Sequence, residues 1–288
     1  MELTKIDDLC YVIEGRINIG LIKLDSKNVC IIDSGLDKEY GRKIRQLLEK
    51  ENLNLLYILN THYHADHTGG NNYLQKYYNC NIYASSIEKV FINNPIMISG
   101  LLYGGKTNKN LINKFSYVDQ SNCLSLDEYD GCIEVLNLKG HTIDMKGYKI
   151  NNTVYLGDSL CSKETIDKYK IMYIYDVLEY LNTLEYIKTI KAENYVFSHT
   201  EIYHNIDDIV DYNIKSVISV KNFILSLCNK EITLENIIKK VFYKYDIKIN
   251  DLQYSINRSC ILSYLSYLID SDLIETYYKD NILFYIVK

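Results

Sequence analysis

One short stretch holds half of the histidines of this chain. Residues 61–70 read Thr-His-Tyr-His-Ala-Asp-His-Thr-Gly-Gly, so three of the six histidines in 288 residues lie within six positions, beside Asp66. Imidazole nitrogens bind divalent transition metals, and a carboxylate oxygen completes such a site. The stretch therefore predicts a metal site, because histidines at this density are typical of metal ligands and not of an ordinary polar loop.

The spacing within this stretch favours two metal positions. His62 and His64 are alternate residues, so on an extended segment their side chains point the same way. Asp66 and His67 are adjacent and cannot both point in that direction. We therefore expect His62 and His64 to bind one ion, and Asp66 and His67 a second.

The elements around the stretch would hold these side chains in place. The apolar run Leu55–Leu59 leads directly into it and is typical of a buried strand. We expect a polar loop to follow this strand, and then a helix that begins near Gly69 and covers about residues 71–78. These elements would place the metal site at the end of a rigid strand.

The order His-x-His-x-Asp-His resembles the signature of the metallo-β-lactamase superfamily. The resemblance implies three more ligands further along, each in a local sequence that is present here: His141 in Gly140-His141-Thr142, Asp158 after the apolar run 154–157, and His199 after the run 195–198. It covers roughly residues 5–204. The family commonly continues the His141 loop with Pro-Gly, whereas Ile143-Asp144 follows Thr142 here, so the shape of this loop differs from the pattern.

The resemblance also implies a role for each residue. The first metal would be bound by His62, His64 and His141, the second by Asp66, His67 and His199, and Asp158 would bridge the two. The cofactors would be two divalent ions, zinc in first place, with iron or manganese as alternatives. Asp158 and Asp66 would be the catalytic carboxylates: a hydroxide held between the ions would attack the substrate, and Asp66 would orient it and pass on a proton.

Two further polar residues, Asp33 and His204, lie outside the seven implied ligands. Asp33 ends a predicted strand at Asp33-Ser34-Gly35, where the family carries an aspartate that orients a ligand; a turn or helix-capping role is the alternative. His204 matches no ligand of the family and is expected to be a solvated loop residue.

The fold class that the resemblance implies is α/β. A four-layer αβ/βα metallo-β-lactamase sandwich over residues 1–204 would be followed by a mostly helical, winged-helix-like domain over residues 205–288. Residues 91–117 are less regular and include Pro95 and Gly104-Gly105, so they are expected to be an irregular segment that acts as a lid, or a surface insertion with a short helix. The tail shows three periodic segments and then a hairpin signal at Lys279-Asp280-Asn281.

Composition and charge limit the classes of molecule that this chain is expected to bind. The net charge is −5, and the tail carries nine Lys and one Arg against eleven acidic residues, which argues against a nucleic-acid reader. The first residues lack the apolar core of a secretion signal, and no apolar stretch is long enough to span a bilayer. The eight cysteines are scattered singly, which favours a reducing cytoplasm. The expected partners are a small-molecule substrate and a second copy of the chain, without membrane or nucleic acid.

Together these patterns predict a metal-dependent hydrolase of a small ester, thioester, lactone or phosphodiester. His64 argues against the flavo-diiron branch, which has Glu at that position, and Asp158 argues against true β-lactamases. The alternatives that remain are a metallo-nuclease with the tail as reader, and an iron-dependent thiol dioxygenase.

Overall fold

Two facing β-sheets with helices on both outer sides make up most of this structure. It is a computed structural model that describes residues 1–115 and 118–288. The first sheet has seven strands in sequence order: β1 (Glu2–Lys5), β2 (Cys10–Glu14), β3 (Ile19–Lys23), β4 (Asn28–Ile32), β5 (Asn54–Leu59), β6 (Asn81–Ala84) and β7 (Cys123–Ser125). Neighbours from β1 to β4 are antiparallel, and those from β4 to β7 are parallel.

The second sheet has four strands. In spatial order they are β11 (Asn194–Val196), β10 (Thr153–Tyr155), β9 (Lys146–Ile150) and β8 (Glu134–Asn137). Because β9 is antiparallel to both β8 and β10, while β10 and β11 are parallel, β8, β10 and β11 all run the same way. Their carboxyl ends therefore meet at one edge of the sheet.

Eleven helices are present in the described part of the chain. They are α1 (Lys38–Lys50), α2 (Ala65–Thr68), α3 (Asn71–Tyr78), α4 (Ser86–Asn93), α5 (Ile96–Tyr103), α6 (Lys109–Phe115), α7 (Lys163–Tyr169), α8 (Val177–Thr189), α9 (Asp207–Leu227), α10 (Leu234–Lys244) and α11 (Asp251–Asp270). The chain closes with a hairpin of β12 (Ile274–Lys279) and β13 (Ile282–Val287). No helix of residues 1–115 or 118–288 combines the length and apolar character needed to cross a membrane.

Three buried clusters show that the layers follow the predicted order. The middle cluster joins β2, β3, β4, β5 and β6 to Tyr148, Tyr155 and Val196 of the second sheet, so these two sheet faces pack against each other. A second cluster fills the space between the outer face of the first sheet and α1, α3, α4 and α5. The third lies outside the second sheet, where α8 to α11 pack. This is an αβ/βα sandwich.

Helix α1 illustrates how local sequence places an element. The Asp37 carboxylate accepts the Tyr40 backbone N–H and caps the helix start. The helix then buries Tyr40, Ile44, Leu47 and Leu48, whose spacing puts them on one face. That face fixes α1 against the first sheet.

The region predicted to be irregular is largely helical. Residues 86–115 contain α4, α5 and α6, so the expectation of an irregular segment was wrong for this part; residues 116–117 lie outside the described ranges. Ser85 caps α4 by accepting the Glu88 N–H, and the Ser-x-x-Glu pattern at 85–88 is a recognisable start signal. Helix α5 is apolar on nearly every side, and such a sequence shows no periodic face.

Smaller differences concern the segment after the motif strand. The expected polar loop contains the one-turn helix α2, and the next helix spans Asn71–Tyr78, the range predicted for it. Strands β1 and β7 and helix α7 were not predicted.

The C-terminal region has three helices and a hairpin, as the sequence predicted. In addition, Ile232, between α9 and α10, forms a β-bridge with Tyr285 of β13. The buried apolar residues of the C-terminal region belong to the same cluster as those of β10, β11 and α8. The C-terminal region therefore shares one buried apolar cluster with the second sheet.

Candidate metal centre

All seven predicted ligands come together at one edge of the sandwich. They follow the carboxyl ends of strands: His62 and His64 follow β5, His141 follows β8, Asp158 follows β10 and His199 follows β11. Asp66 and His67 lie on α2, directly after the histidine pair. They form two groups within which the ligand atoms lie within 4.8 Å of one another.

The first group consists of three imidazoles. His64 Nδ1 lies 3.0 Å from His62 Nε2 and 3.1 Å from His141 Nε2. Ligand atoms 2.0–2.1 Å from a tetrahedral zinc ion are separated by roughly 3.3 Å. The three nitrogens thus have the spacing of three ligands around one ion.

The second group combines carboxylates and imidazoles around Asp158. Its Oδ2 lies 3.4 Å from both His67 Nε2 and His199 Nε2. The same oxygen lies 3.7 Å from His141 Nε2 of the first group. Asp66 Oδ2 lies 3.4 Å from His199 Nε2. Asp158 therefore stands between the two groups, at the position expected of a bridging carboxylate.

The loop after β4 supports α2 at close range. The Gly69 N–H donates to the Gly35 carbonyl, and a Cβ at Gly69 would lie 2.2 Å from the carbonyl carbon of Leu36. Only glycine allows this approach of two backbones. The contact sets the distance of Asp66 and His67 from β4.

Asp33, at the end of β4, contacts His67 directly. Its Oδ2 lies 2.7 Å from His67 Nδ1, and its two oxygens also accept the N–H and the hydroxyl of Thr61 at 2.8 Å. The cap of α1 is Asp37 instead. A carboxylate on Nδ1 fixes the tautomer of the ring and leaves Nε2 for a metal.

Two other rings are oriented by groups that sequence reasoning missed. The Thr61 hydroxyl lies 2.9 Å from His62 Nδ1 and itself donates to Asp33. His141 Nδ1 lies 3.1 Å from the Tyr173 carbonyl oxygen. In both rings the remaining nitrogen, Nε2, points into the first group. Threonine directly before the motif is a local signal, whereas a backbone carbonyl 32 residues away has none.

Glu88 is a further residue that sequence reasoning missed. This fully buried side chain accepts the Tyr63 N–H at 2.9 Å through Oε2. Its Oε1 accepts the Thr142 hydroxyl at 2.8 Å and the Asp144 N–H at 2.9 Å. Glu88 therefore ties the segment that carries His62 and His64 to the loop that carries His141. Burial, against these three hydrogen bonds, raises the pKa of Glu88 to about 7.

The two groups differ in their electrostatics. Burial and the neighbouring imidazoles lower the pKa of His62 and of His141, and they lower that of His64 to about 3, so these rings are neutral and free to bind a metal. The carboxylate of Asp158 raises the pKa of His199 to about 10, against the effect of burial. The second group is thus rich in negative charge and attracts a positive charge, which a proton or a divalent ion supplies.

Unsatisfied buried atoms show that the residues fit a metal. His67 Nε2 and Asp158 Oδ1 are buried, and neither has a hydrogen-bond partner among the residues that the structure describes. Such atoms cost about 1–3 kcal/mol each, and more when charged, unless another group satisfies them. Both belong to the second group, where a divalent ion would satisfy them.

The sixth histidine lies apart from both groups. His204 is exposed, and its Nδ1 lies 2.9 Å from the Glu193 carbonyl oxygen. It is a loop residue, as expected, and takes no part in the cluster.

Comparison with known proteins identifies the family. The model of the metallo-beta-lactamase superfamily matches residues 12–199. The chain belongs to this superfamily. Its members typically carry a dinuclear metal site, and the two groups of ligand-type residues lie within the matched range.

Several sequence relatives of this chain are named hydroxyacylglutathione hydrolases. The chain is 32% identical over 113 residues to a hydroxyacylglutathione hydrolase of Thiobacillus denitrificans, which is 39% of this chain and 36% of that protein. It is 30% identical over 125 residues to the hydroxyacylglutathione hydrolase GloC of Haemophilus influenzae, which is 43% of this chain and 57% of that protein. The aligned parts thus span about a third to somewhat over half of these relatives.

Solved structures confirm the fold class. A beta-lactamase domain protein from Burkholderia ambifaria aligns over 100% of this chain and 94% of its own, with a TM-score of 0.74 at 15% identity. A metallo-beta-lactamase family protein from Thermus thermophilus aligns over 94% of each chain, with a TM-score of 0.70 at 16% identity. At this identity the likeness shows the fold alone. Both alignments extend through the C-terminal region.

Proposed function

We propose that this chain is a dinuclear metal-dependent hydrolase of small esters, thioesters, lactones or phosphodiesters. The observation that carries the proposal is the position of Asp158 Oδ2, within 3.4–3.7 Å of histidine nitrogens of both ligand groups. A carboxylate shared between two such groups is the arrangement of two-metal hydrolytic sites. Thioesters are the favoured class, since the relatives are named hydroxyacylglutathione hydrolases.

The ligand assignment follows the two groups. His62, His64 and His141 would hold the first ion, Asp66, His67 and His199 the second, and Asp158 both. Imidazole-rich sites with carboxylates favour zinc, with iron or manganese as alternatives. When bound, such ions supply Lewis acidity toward the substrate oxygen and lower the pKa of water at the site.

The chain's own residues position and move protons. Asp33 and Thr61 hold the rings of His67 and His62. Asp66 lines the cavity beside the cluster, and 35% of its side chain is exposed there. We assign Asp66 to orienting the attacking water and passing a proton to the leaving group.

The second proposal is that residues 205–288 form a C-terminal domain that follows the catalytic domain of residues 1–204. The order helix, bridge residue Ile232, helix, helix and hairpin supports a winged-helix-like description. Its charge, −1 over the range, supports a structural or dimer-forming role and not nucleic-acid binding. A reducing, cytoplasmic location remains a prediction from the scattered cysteines.

One experiment tests the hydrolase proposal. Protein purified without chelator is analysed for metal and assayed on a panel of thioesters, including glutathione thioesters, with lactones and phosphodiesters. We expect two metal ions per chain and hydrolysis of at least one class. In His64→Ala the metal content falls, because a site with one ligand fewer binds more weakly. One ion or none per chain, with no hydrolysis, would overturn the proposal.

A further inference from the structure

An apolar cavity opens beside the ligand groups. It has a volume of about 260 Å³ and is bordered by His64, Asp66 and His141 on one side. The remaining wall is apolar or aromatic: Ile98 and Leu102 from α5, Leu252 and Ile256 from α11, and Tyr173. Two helices outside the central sheets, one of them in the C-terminal region, therefore contact each other beside the ligand groups.

The side chains described around this cavity carry little charge. Among the side chains that the structure describes, its lining contains no Lys or Arg, and the one charged residue there other than histidine is the predicted ligand Asp66. A separate cavity of about 580 Å³ on the side of His199 is polar, and its lining includes Lys163 and three acidic residues, Glu164, Glu201 and Asp208. Neither cavity offers the excess of cations that a group with several carboxylates requires.

The size of the apolar cavity limits its occupant. Ligand cavities for drug-sized molecules are about 300–1,000 Å³, so this one is below that range. A short acyl chain or a single aromatic ring has this size.

We propose that the cavity between α5 and α11 binds an uncharged, apolar acyl or aryl group of the substrate, and that Leu252 and Ile256 determine its length. Calling this occupant a substrate rests on the hydrolase function proposed above. The C-terminal region thereby supplies one wall of the substrate site. A small apolar thioester or ester fits the chain better than a thioester whose group beside the metals is charged.

The affinity of this cavity for apolar ligands should rise with the length of the ligand chain. Each buried methylene contributes about 0.8 kcal/mol, which corresponds to about a fourfold change in affinity. Affinity should rise by this factor per methylene until the cavity is full and then level off. A polar or solvent-exposed site would show no such slope.

Binding of a chain-length series tests the proposal apart from catalysis. The probes are n-alkanoyl hydroxamates from two to ten carbons on the metal-loaded protein, and n-alkanols from four to eight carbons on the metal-free protein, both measured by calorimetry. We expect the affinity for each series to rise about fourfold per methylene before it levels off. Affinity that does not depend on chain length in both series would overturn the proposal.

Substitutions on α11 test whether Leu252 and Ile256 determine the dependence of affinity on chain length. Ile256→Phe keeps the wall apolar but fills space, so the plateau should move to shorter chains. Leu252→Ser should lower the affinity for the longer probes by about tenfold, since it removes apolar contact. The control is Ile249→Ser: Ile249 lies three residues before Leu252, is 70% exposed and does not line this cavity. An equal loss in the control, or an unchanged plateau in Ile256→Phe, would contradict the assignment.

Thioester hydrolysis separates the two proposals. Hydrolysis with no preference for acyl length would retain the hydrolase and reject the apolar site. Length-dependent binding without hydrolysis of any ester, thioester, lactone or phosphodiester would retain the apolar site and reject the hydrolase.

Discussion

Asp33 Oδ2 lies 2.7 Å from His67 Nδ1, and both side chains are almost fully buried. The same carboxylate accepts two hydrogen bonds from Thr61, whose hydroxyl contacts His62. One carboxylate thus holds a ring of each ligand group, directly in one case and through Thr61 in the other. Its influence should extend to both metals.

Asp33→Asn is expected to weaken metal binding. Asparagine has the same shape and tolerates the left-handed backbone of Asp33, whose φ is +66°, so the backbone should stay in place. The charge that fixes the His67 tautomer is lost, and removal of such partners typically costs about 10–100-fold in metal affinity. Competition with a chromophoric chelator measures this loss.

Asp37→Asn is the matched control for this change. Asp37 caps α1 four residues further on, and asparagine caps helices about as well as aspartate. Metal affinity should therefore stay at the wild-type value. An Asp33→Asn protein that also retains wild-type affinity would show that the carboxylate does not orient His67.

Glu88→Gln is expected to change how stability depends on pH. The pKa of Glu88 is raised from 4.5 to about 7, mainly by burial, with the charge of Asp144 adding to it. Between these values the folded wild type holds a proton that the unfolded chain has released, so its stability falls as pH rises. The fall is on the order of 3 kcal/mol across the window. Glutamine cannot titrate, so the variant lacks this fall.

Denaturant unfolding at pH 5, 6, 7 and 8 measures the effect. The variant should be less stable at pH 5, because its amide cannot accept from all three donors, and the gap to the wild type should narrow toward pH 8. Glu275→Gln, at an exposed position of β12, should keep a constant gap. A constant gap for Glu88→Gln would show that Glu88 titrates normally.

Asp158→Asn is expected to abolish most of the hydrolysis. The side chain keeps its shape but loses its charge and one oxygen suited to a metal, so the two ligand groups no longer share a carboxylate. We expect a loss of several kcal/mol in transition-state stabilisation, the scale of Lewis-acid catalysis. The ratio kcat/KM and the metal content are measured together, with the exposed Asp130→Asn as control. Near-normal kcat/KM in Asp158→Asn would contradict a two-metal mechanism.

Deletion of residues 205–288 is expected to make the remainder aggregate. Val154, Phe197 and Leu184 share one buried cluster with Val210 and Leu265 of the C-terminal region, so deletion exposes a continuous apolar surface. Solubility and light scattering check this, and co-expression of residues 205–288 as a separate chain should restore solubility. A soluble, metal-loaded fragment 1–204 would show that the two ranges fold independently.

The sequence predicted which residues form the two ligand groups better than it predicted which residues hold them in place. The motif placed His62, His64, Asp66 and His67 by local spacing, and the structure brings all seven predicted side chains together. His141, Asp158 and His199 required the resemblance to the superfamily, because no local pattern connects residues that lie so far apart. Whether all seven bind metal stays a prediction for the metal analysis.

The supporting contacts depend on tertiary structure that no local pattern encodes. Glu88 reads as a first-turn residue of a helix, yet its carboxylate accepts from Tyr63, Thr142 and Asp144. Helix α5 has apolar residues on several sides, and Ile96 and Met97 remain exposed, so its sequence shows no single buried face. Strands β4 and β5 were easier to predict than α5, since these parallel strands are nearly continuous apolar runs.

Helix α11 serves two purposes along its length. Its first turns present Leu252 and Ile256 to the cavity, and its later turns bury Cys260, Ile261, Tyr264 and Leu268 in the shared core. Cys260 Sγ also contacts the carbonyl of Met172, next to Tyr173, whose carbonyl holds His141. Substitutions at Leu252 and Ile256 can therefore change the cavity wall without removing the core contacts of the later turns. Relatives with a different acyl preference should therefore differ at positions equivalent to 252 and 256 while they retain the apolar residues two to four turns later.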